Sequence, residues 1–374
     1  MHFNNIYLRS FRLFLFPLTL LYGVVVRMRN YLYDKKIIEG IAFNIPIFCV
    51  GNLSVGGTGK SPMVDYLLSL LKQQYPVATI SRGYKRRTSG YVLATEQTTA
   101  IEIGDEPMQF HLNHPDVAIS VCEKRIEAVP ELLYDRPETK AIVLDDAFQH
   151  REIKAGMQII LTEYNNLYTR DLFLPTGDLR DQTSSADRAD IIVVTKCPAD
   201  LSEHGRFLVL QELSPKKHQH VFFTTIQYGT PYHIISGHEY TITKDTEVLL
   251  ICGIANPRPL TQYIHDESKT YDALFYNDHH LFSIDDINEI KYRFDAILEG
   301  EKIILTTGKD AVRLVRYKEQ LEDLPVYVIP ISVNFLFGQS VEFNKLILDY
   351  PKTFYENQDE FMHPATESSN TQIQ

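Results

Sequence analysis

The 374 residues are 44% hydrophobic and 23% charged, an ordinary globular balance, and too many for one hydrophobic core. A formal charge of -11 argues against a nucleic-acid binder, which would carry a basic face. Cys49, Cys122, Cys197 and Cys252 lie scattered in apolar runs with no CxxC spacing, which argues against structural zinc and for buried free thiols in a reducing compartment.

The charge is uneven along the chain. Residues 1–36 hold Arg9, Arg12, Arg27, Arg29, Lys35 and Lys36 against the single acid Asp34. Between Arg12 and Arg27 lie fourteen residues, apolar except for Thr19 and interrupted by Pro17 and Gly23. A spanning helix needs ~20 apolar residues, so the run is short for one. The length would suit a signal-peptide core, but no convincing small-residue cleavage site follows. Arginines at both ends suit an amphipathic helix lying in the headgroups of an anionic membrane surface, with a helix buried in the fold as the plainer alternative.

From residue 46 onward, short apolar runs alternate with helix-length segments. Strands are predicted at 46–50, 77–81, 117–121, 141–145, 157–162 and 190–195, a rhythm that reads as a parallel sheet covered on both faces. The stretch 221–245, rich in β-branched and aromatic residues with a turn at Gly229-Thr230-Pro231, reads as an extended connector, with two short strands as a further reading. The rhythm then resumes at 247–252, 272–276, 302–307 and 326–332. Between these, Ser283 and Asp286 can cap a helix whose stripe is Ile287, Ile290, Phe294 and Ile297. The expected organisation is α/β throughout. It comprises a membrane-contacting helix (1–36), a P-loop NTPase-type domain (37–220), the connector (221–245), a smaller α/β domain (246–350) and a disordered polar tail (351–374).

The stretch "SVGGTGKS" runs from Ser54 through Val55, Gly56, Gly57, Thr58, Gly59 and Lys60 to Ser61. Ser54 stands where the phosphate-loop pattern has its first glycine, yet the three glycines suffice to curl successive N–H groups onto one phosphate. Lys60 can reach the β- and γ-phosphates of a nucleotide and the Ser61 hydroxyl can ligate Mg²⁺. The strand before and the helix after, with Pro62 in its first turn, supply the required context. "AIVLDDAFQH" ends an apolar strand on Asp145 and Asp146, which in such a fold lie beside the phosphates and hold Mg²⁺; a solvated strand-end turn is the plainer reading. Asp105 and Glu106 ahead of Pro107, and Asp278, His279 and His280 after a later strand, are weak signals taken singly.

The ordered set "VGNLSVGGTGKSP", "SRGYKR", "GDEP", "LDDAFQH", "FLPTGDLRD", "CGIANP" and "DHH" resembles the tetraacyldisaccharide 4'-kinase family over roughly residues 5–350. The resemblance implies transfer of the γ-phosphate of ATP, with Mg²⁺, to the 4'-hydroxyl of a tetraacyldisaccharide 1-phosphate at the cytoplasmic face of the inner membrane. It implies Asp105 as the base for the sugar hydroxyl and His279 as its partner from the second domain. Asp181 takes the place of a usual glutamate and is a further candidate for Mg²⁺, while Arg82 and Arg180 are candidate phosphate contacts. Lys85, Ala147, Ala255 and Gly308 depart from the family pattern, which leaves the roles of Gly308, Lys309 and Asp310 open. No nucleic-acid or protein partner is expected. The alternative is a membrane-associated P-loop NTPase for targeting or assembly, since "VVTKCPAD" faintly echoes a guanine-reading loop, although Asp200 falls one residue late for it.

Overall fold

The computed structural model describes residues 12–297 and 300–362. Arg9 and the part of the expected tail beyond residue 362 lie outside the described residues. The strands are β1 (Ile47–Asn52), β2 (Val77–Ser81), β3 (Val92–Leu93), β4 (Ala118–Val121), β5 (Ala141–Asp145), β6 (Met157–Glu163) and β7 (Ile191–Thr195). They continue as β8 (His220–Tyr228), β9 (Tyr232–His233), β10 (Thr246–Cys252), β11 (Thr270–Phe275), β12 (Glu301–Thr307), β13 (Val326–Ile329) and β14 (Ile331–Phe335).

Nine strands form a large sheet in the order β14-β8-β7-β6-β1-β5-β2-β4-β3, parallel except at its two edges, where β14 and β3 run antiparallel to their neighbours. The central strands are buried along their whole length, as their continuous apolar runs require. Alternation sends Ile47 and Cys49 to the core on one face and Phe48 and Val50 to the core on the other. Helix Lys60–Leu71 covers the second face with Met63, Val64, Leu67, Leu68 and Leu71, a stripe at helical spacing. Helix Arg125–Asp135 covers the first with Ala128, Val129 and Leu132.

A second sheet of five strands, ordered β11-β10-β12-β13-β9, carries helices Arg258–Glu267 and Ile284–Asp295. The Ser283–Asp286 capping box expected from the sequence is formed, and Ile287, Ile290 and Phe294 are buried beneath it.

Three boundaries differ from the expected ones. The connector holds two strands, each in a different sheet: β8 completes the parallel run of the large sheet, and β9 is an edge strand of the small one. The strand expected at 326–332 is two strands in two sheets, divided at Pro330, whose missing N–H and fixed φ end β13. Beyond it the chain re-enters the large lobe. Helix Ser340–Met362 seats Phe343 and Ile347 in the core beside Phe48, so residues from 351 to Met362 are helical rather than disordered. Gly229 N–H donates to Pro330 C=O (2.9 Å) where the two crossing segments pass.

Helix Phe16–Asp34 is amphipathic in an inverted sense. Its small and polar residues Thr19, Gly23 and Asn30 are buried, while Leu20, Leu21, Val24, Val25 and Met28 are exposed, Leu21 at 63%. Thr19 bonds Thr176, Tyr22 donates to the Arg180 carbonyl, and Asn30 Nδ2 donates to Asp181 Oδ1 (2.7 Å). Among the described residues, no helix is long and apolar enough to cross a membrane. All four cysteines are free and buried, as expected.

Candidate active site

The glycine loop from Ser54 to Gly59 joins β1 to helix Lys60–Leu71 at the carboxyl edge of the large sheet. Asn52 Nδ2 donates to Thr58 Oγ1 (2.8 Å), and Thr195 Oγ1, at the end of β7, donates to the Thr58 carbonyl (2.8 Å). Val55 N–H donates to the Asp178 carbonyl, which fixes the near arm. Gly59 caps the helix at φ 87°, a left-handed conformation that a glycine adopts without a Cβ clash. A Cβ on Gly56 or Gly57 would meet nothing within 4 Å, so the concave side stands open.

Lys60 and Ser61 open the helix and face acids. Lys60 Nζ lies 3.7 Å from Asp146 Oδ1; burial lowers the lysine against the pull of that carboxylate. Ser61 Oγ donates to Glu106 Oε1 (2.9 Å), which also accepts from Lys309 Nζ (2.5 Å). Burial alone would raise Glu106, but the Lys309 charge and these hydrogen bonds outweigh it and hold the carboxyl below its ordinary value.

Asp145 and Asp146 part company at the end of β5. Asp146, at φ 49°, turns toward Arg180, whose guanidinium grips both its oxygens and also reaches Asn52. Against the cost of burial, that grip and Lys60 hold Asp146 down to about 2. Asp145 is buried, with Ser81 Oγ at 3.2 Å, and its pKa is raised by burial and by the negative charges of Glu106 and Asp146. An excess of buried negative charge beside a serine hydroxyl at a helix head is what a divalent cation relieves, so Ser61 and Asp145 fit Mg²⁺. Among the described residues no group of three or more His, Cys, Asp or Glu stands ready to hold a metal ion.

The metal role expected of Asp181 does not fit its surroundings. Its Oδ1 accepts from Asn30, Ser185 and the Gln182 N–H, and Oδ2 faces Arg188 at 3.4 Å. The carboxylate is committed to docking helix Phe16–Asp34. Arg82 is exposed; together with burial and Arg125, its charge and that of Arg29 hold His150 down to about 4, marking a positive region beside the acids.

Asp105 starts helix Asp105–Asn113 behind Gly104, whose φ of 90° lets the chain turn where a Cβ would meet the Tyr84 carbonyl at 2.9 Å. His279 comes from the loop after β11, and its Nδ1 lies 2.8 Å from Asp105 Oδ2. The structure thus brings together Asp105 and His279, far apart in the sequence. Two residues of helix Gly308–Leu314 join them: Lys309 on Glu106, and Arg313, whose Nε and Nη2 bond the two Asp105 oxygens (2.9 and 2.5 Å). Burial opposes the charge on Asp105, yet the bonds from His279 and Arg313 hold it down to about 2. Sequence reading missed Arg313 and left Lys309 open. The available signal was a cap pattern, Thr307 to Asp310, opening a helix at a strand's carboxyl end with cations spaced i, i+4.

Comparison with known proteins gives the arrangement its lineage. A family model described as tetraacyldisaccharide-1-P 4'-kinase matches residues 11–351. The chain belongs to that family. It is 40% identical over 350 residues to the tetraacyldisaccharide 4'-kinase of Bacteroides thetaiotaomicron, covering 90% of this chain and 92% of that one. It is 43% identical over 345 residues to the same enzyme of Flavobacterium johnsoniae, covering 91% and 97%. The LpxK of Aquifex aeolicus, solved in complex with ATP, superimposes with a TM-score of 0.71 at 27% identity, over 91% of this chain and 99% of that one. Membership makes this chain an ATP-dependent kinase of lipid A biosynthesis, and the targeting NTPase is not favoured.

Proposed function

We propose that the chain moves the γ-phosphoryl group of ATP to the 4'-hydroxyl of a tetraacyldisaccharide 1-phosphate, with Asp105 as base and the loop Ser54–Ser61 as the phosphate cradle. The observation that carries this reading is the meeting of Asp105 and His279 across the two lobes, on the helix whose next residue, Glu106, bonds Ser61 of the cradle. Backbone N–H groups of Gly56, Gly57 and Gly59 and the Lys60 ammonium would bind the phosphates. Ser61 and Asp145, with Asp146 alongside, would hold Mg²⁺, which supplies charge neutralisation for the transferring group when bound. As the oxygen–phosphorus bond to the sugar forms, the bond from the γ-phosphorus to the bridging oxygen breaks and ADP leaves. Asp105 Oδ accepts the hydroxyl proton. His279 orients that carboxylate, and Arg180 holds Asp146 beside the cradle.

The acceptor keeps its acyl chains in a bilayer, so the enzyme must work against one. The outward apolar face of helix Phe16–Asp34, with Arg27 and Arg29 beside it, suits an interfacial position at an anionic cytoplasmic surface. The working units are a nucleotide-binding large lobe and a small lobe that brings His279, Lys309 and Arg313 to it.

Purified protein in mild detergent with labelled ATP, Mg²⁺ and the disaccharide 1-phosphate tests the reaction, run beside Lys60→Ala and Asp105→Asn. Label on the lipid with wild type, reduced at least ~100-fold in both variants, is expected. ATP hydrolysis without lipid, and no labelled lipid, would overturn the reading.

A further inference from the structure

The contact on Asp105 is more than a pair. Asp105 Oδ2 receives His279 Nδ1 and Arg313 Nη2, whereas Oδ1 receives only Arg313 Nε. We propose that Arg313 is a positioning residue for the transfer: it fixes the plane of the Asp105 carboxylate and keeps it charged, so that the base is set only when the small lobe is docked. This rests on the reading of Asp105 as base and deepens it.

Arg313 is itself held from every side. Its side chain is 3% exposed, and Nη1 faces the His280 carbonyl (3.3 Å) and Asp310 Oδ1 (3.5 Å). Asp310 Oδ2 accepts from Gly253 N–H (3.0 Å) and Thr307 Oγ1 (2.8 Å). Gly253 follows β10, His279 and His280 follow β11, and Thr307 ends β12. The carboxyl ends of three parallel strands of the small lobe therefore converge to aim one guanidinium at a residue of the large lobe. His279 adopts φ 64°, uncommon for a non-glycine residue, and its Nδ1 lies 3.1 Å from Arg313 Nη2.

The charges facing Asp105 are Arg313 and His279 from the small lobe, Asp310 behind Arg313, Asp278 beyond His279, and Glu106 next along its own helix, itself paired with Lys309. Arg313 offers both a charge and a planar fork, and only the fork locks the rotation of the carboxylate. With Oδ2 doubly occupied, the spare lone pair lies on Oδ1. That oxygen is the one left to receive the sugar hydroxyl.

Full-length Arg313→Met, Arg313→Lys and Asp105→Asn enzymes, each checked for ATP binding as a sign of folding, would be assayed for kcat and for both KM values from about pH 5 to about pH 9. For Arg313→Met the expected result is a kcat lower by roughly 10- to 100-fold with both KM values near wild type. The ratio to wild type should also fall as pH falls, because Asp105 loses the donor that kept it ionised. Arg313→Lys should restore the wild-type pH profile but not the full kcat, since charge returns without the fork. Losses of equal size at every pH, or an unchanged kcat, would overturn the inference while leaving the base reading intact. An active Asp105→Asn enzyme would instead overturn the base reading, and this inference with it.

Discussion

Replacing Asn30 by leucine tests whether helix Phe16–Asp34 is held by a polar seam rather than by apolar packing. Asn30 is 1% exposed, and its Nδ2 donates to Asp181 Oδ1 (2.7 Å) and Ser185 Oγ (3.2 Å). Leucine keeps the volume and removes the donor. Asp181 would keep Ser185, the Gln182 N–H and Arg188, so it is not orphaned, and the loss is one hydrogen bond to the Ser185 hydroxyl and, the larger, one to a charged acceptor. Such a bond contributes about 1.5–3 kcal/mol, or roughly 10- to 150-fold in the equilibrium between docked and released helix. Hydrogen exchange without detergent or lipid reads this directly, because amides that exchange through local release speed up by the same factor. Faster exchange confined to residues 16–34 is the expected result. Unchanged protection there would refute the reasoning and leave the docking to the other contacts, Thr19 on Thr176, Tyr22 on the Arg180 carbonyl and Gly23 against Phe173.

Acid should expose the charged contacts of the site. Asp105 and Asp146 are held down to about 2, so their contribution to stability is complete above the ordinary carboxylate value and is lost as pH falls from about 4 toward 2. Urea midpoints in that window should drop more steeply for wild type than for Asp105→Asn; parallel curves would count against the assignment. Gly104→Ala should destabilise by more than about 1 kcal/mol in chemical denaturation, because it combines a φ of 90° with a Cβ 2.9 Å from the Tyr84 carbonyl. Gly308→Ala should stay within about 0.5 kcal/mol, since its Cβ would meet only the movable end of Gln109. Leu21→Asp, on the exposed face of helix Phe16–Asp34, should lower partition onto anionic vesicles at least about tenfold by sedimentation, from the ~1.5–3 kcal/mol that a buried leucine contributes.

Much of this was legible in the sequence for physical reasons. Strands such as Ile191–Thr195 are buried on both faces and so read as unbroken apolar runs, and the glycine loop announces itself by residues that tolerate open, left-handed backbone. Pairings between distant segments were less legible. Nothing local in "TTGKDAVR" says that Lys309 and Arg313 meet the Asp105-Glu106 step, because that meeting is made by the docking of two lobes. The family pattern paired His279 with Asp105 and left Asp181, in place of a usual glutamate, as a further candidate for Mg²⁺, while in the fold its carboxylate accepts from Asn30. The tail misled for a simpler reason. Its residues 351–358 continue a helix whose apolar side, Phe343 and Ile347, lies in the neighbouring stretch.

The return of the chain through Pro330 nests one lobe inside the other. Tyr228 and Ile331 stand opposite each other in the antiparallel pairing of β8 and β14, so the whole small sheet, from β9 to β13, occupies the place of a hairpin loop. On an emerging chain this reverses the usual N-terminal-first order of assembly. The small lobe is contiguous and can close as soon as β13 has left the ribosome. The large lobe, begun first, lacks an edge strand and the core residues Phe343 and Ile347 until the chain beyond Pro330 is made. The lobe proposed to grip ATP is thus completed after the other, with the outward-facing helix Phe16–Asp34 waiting throughout.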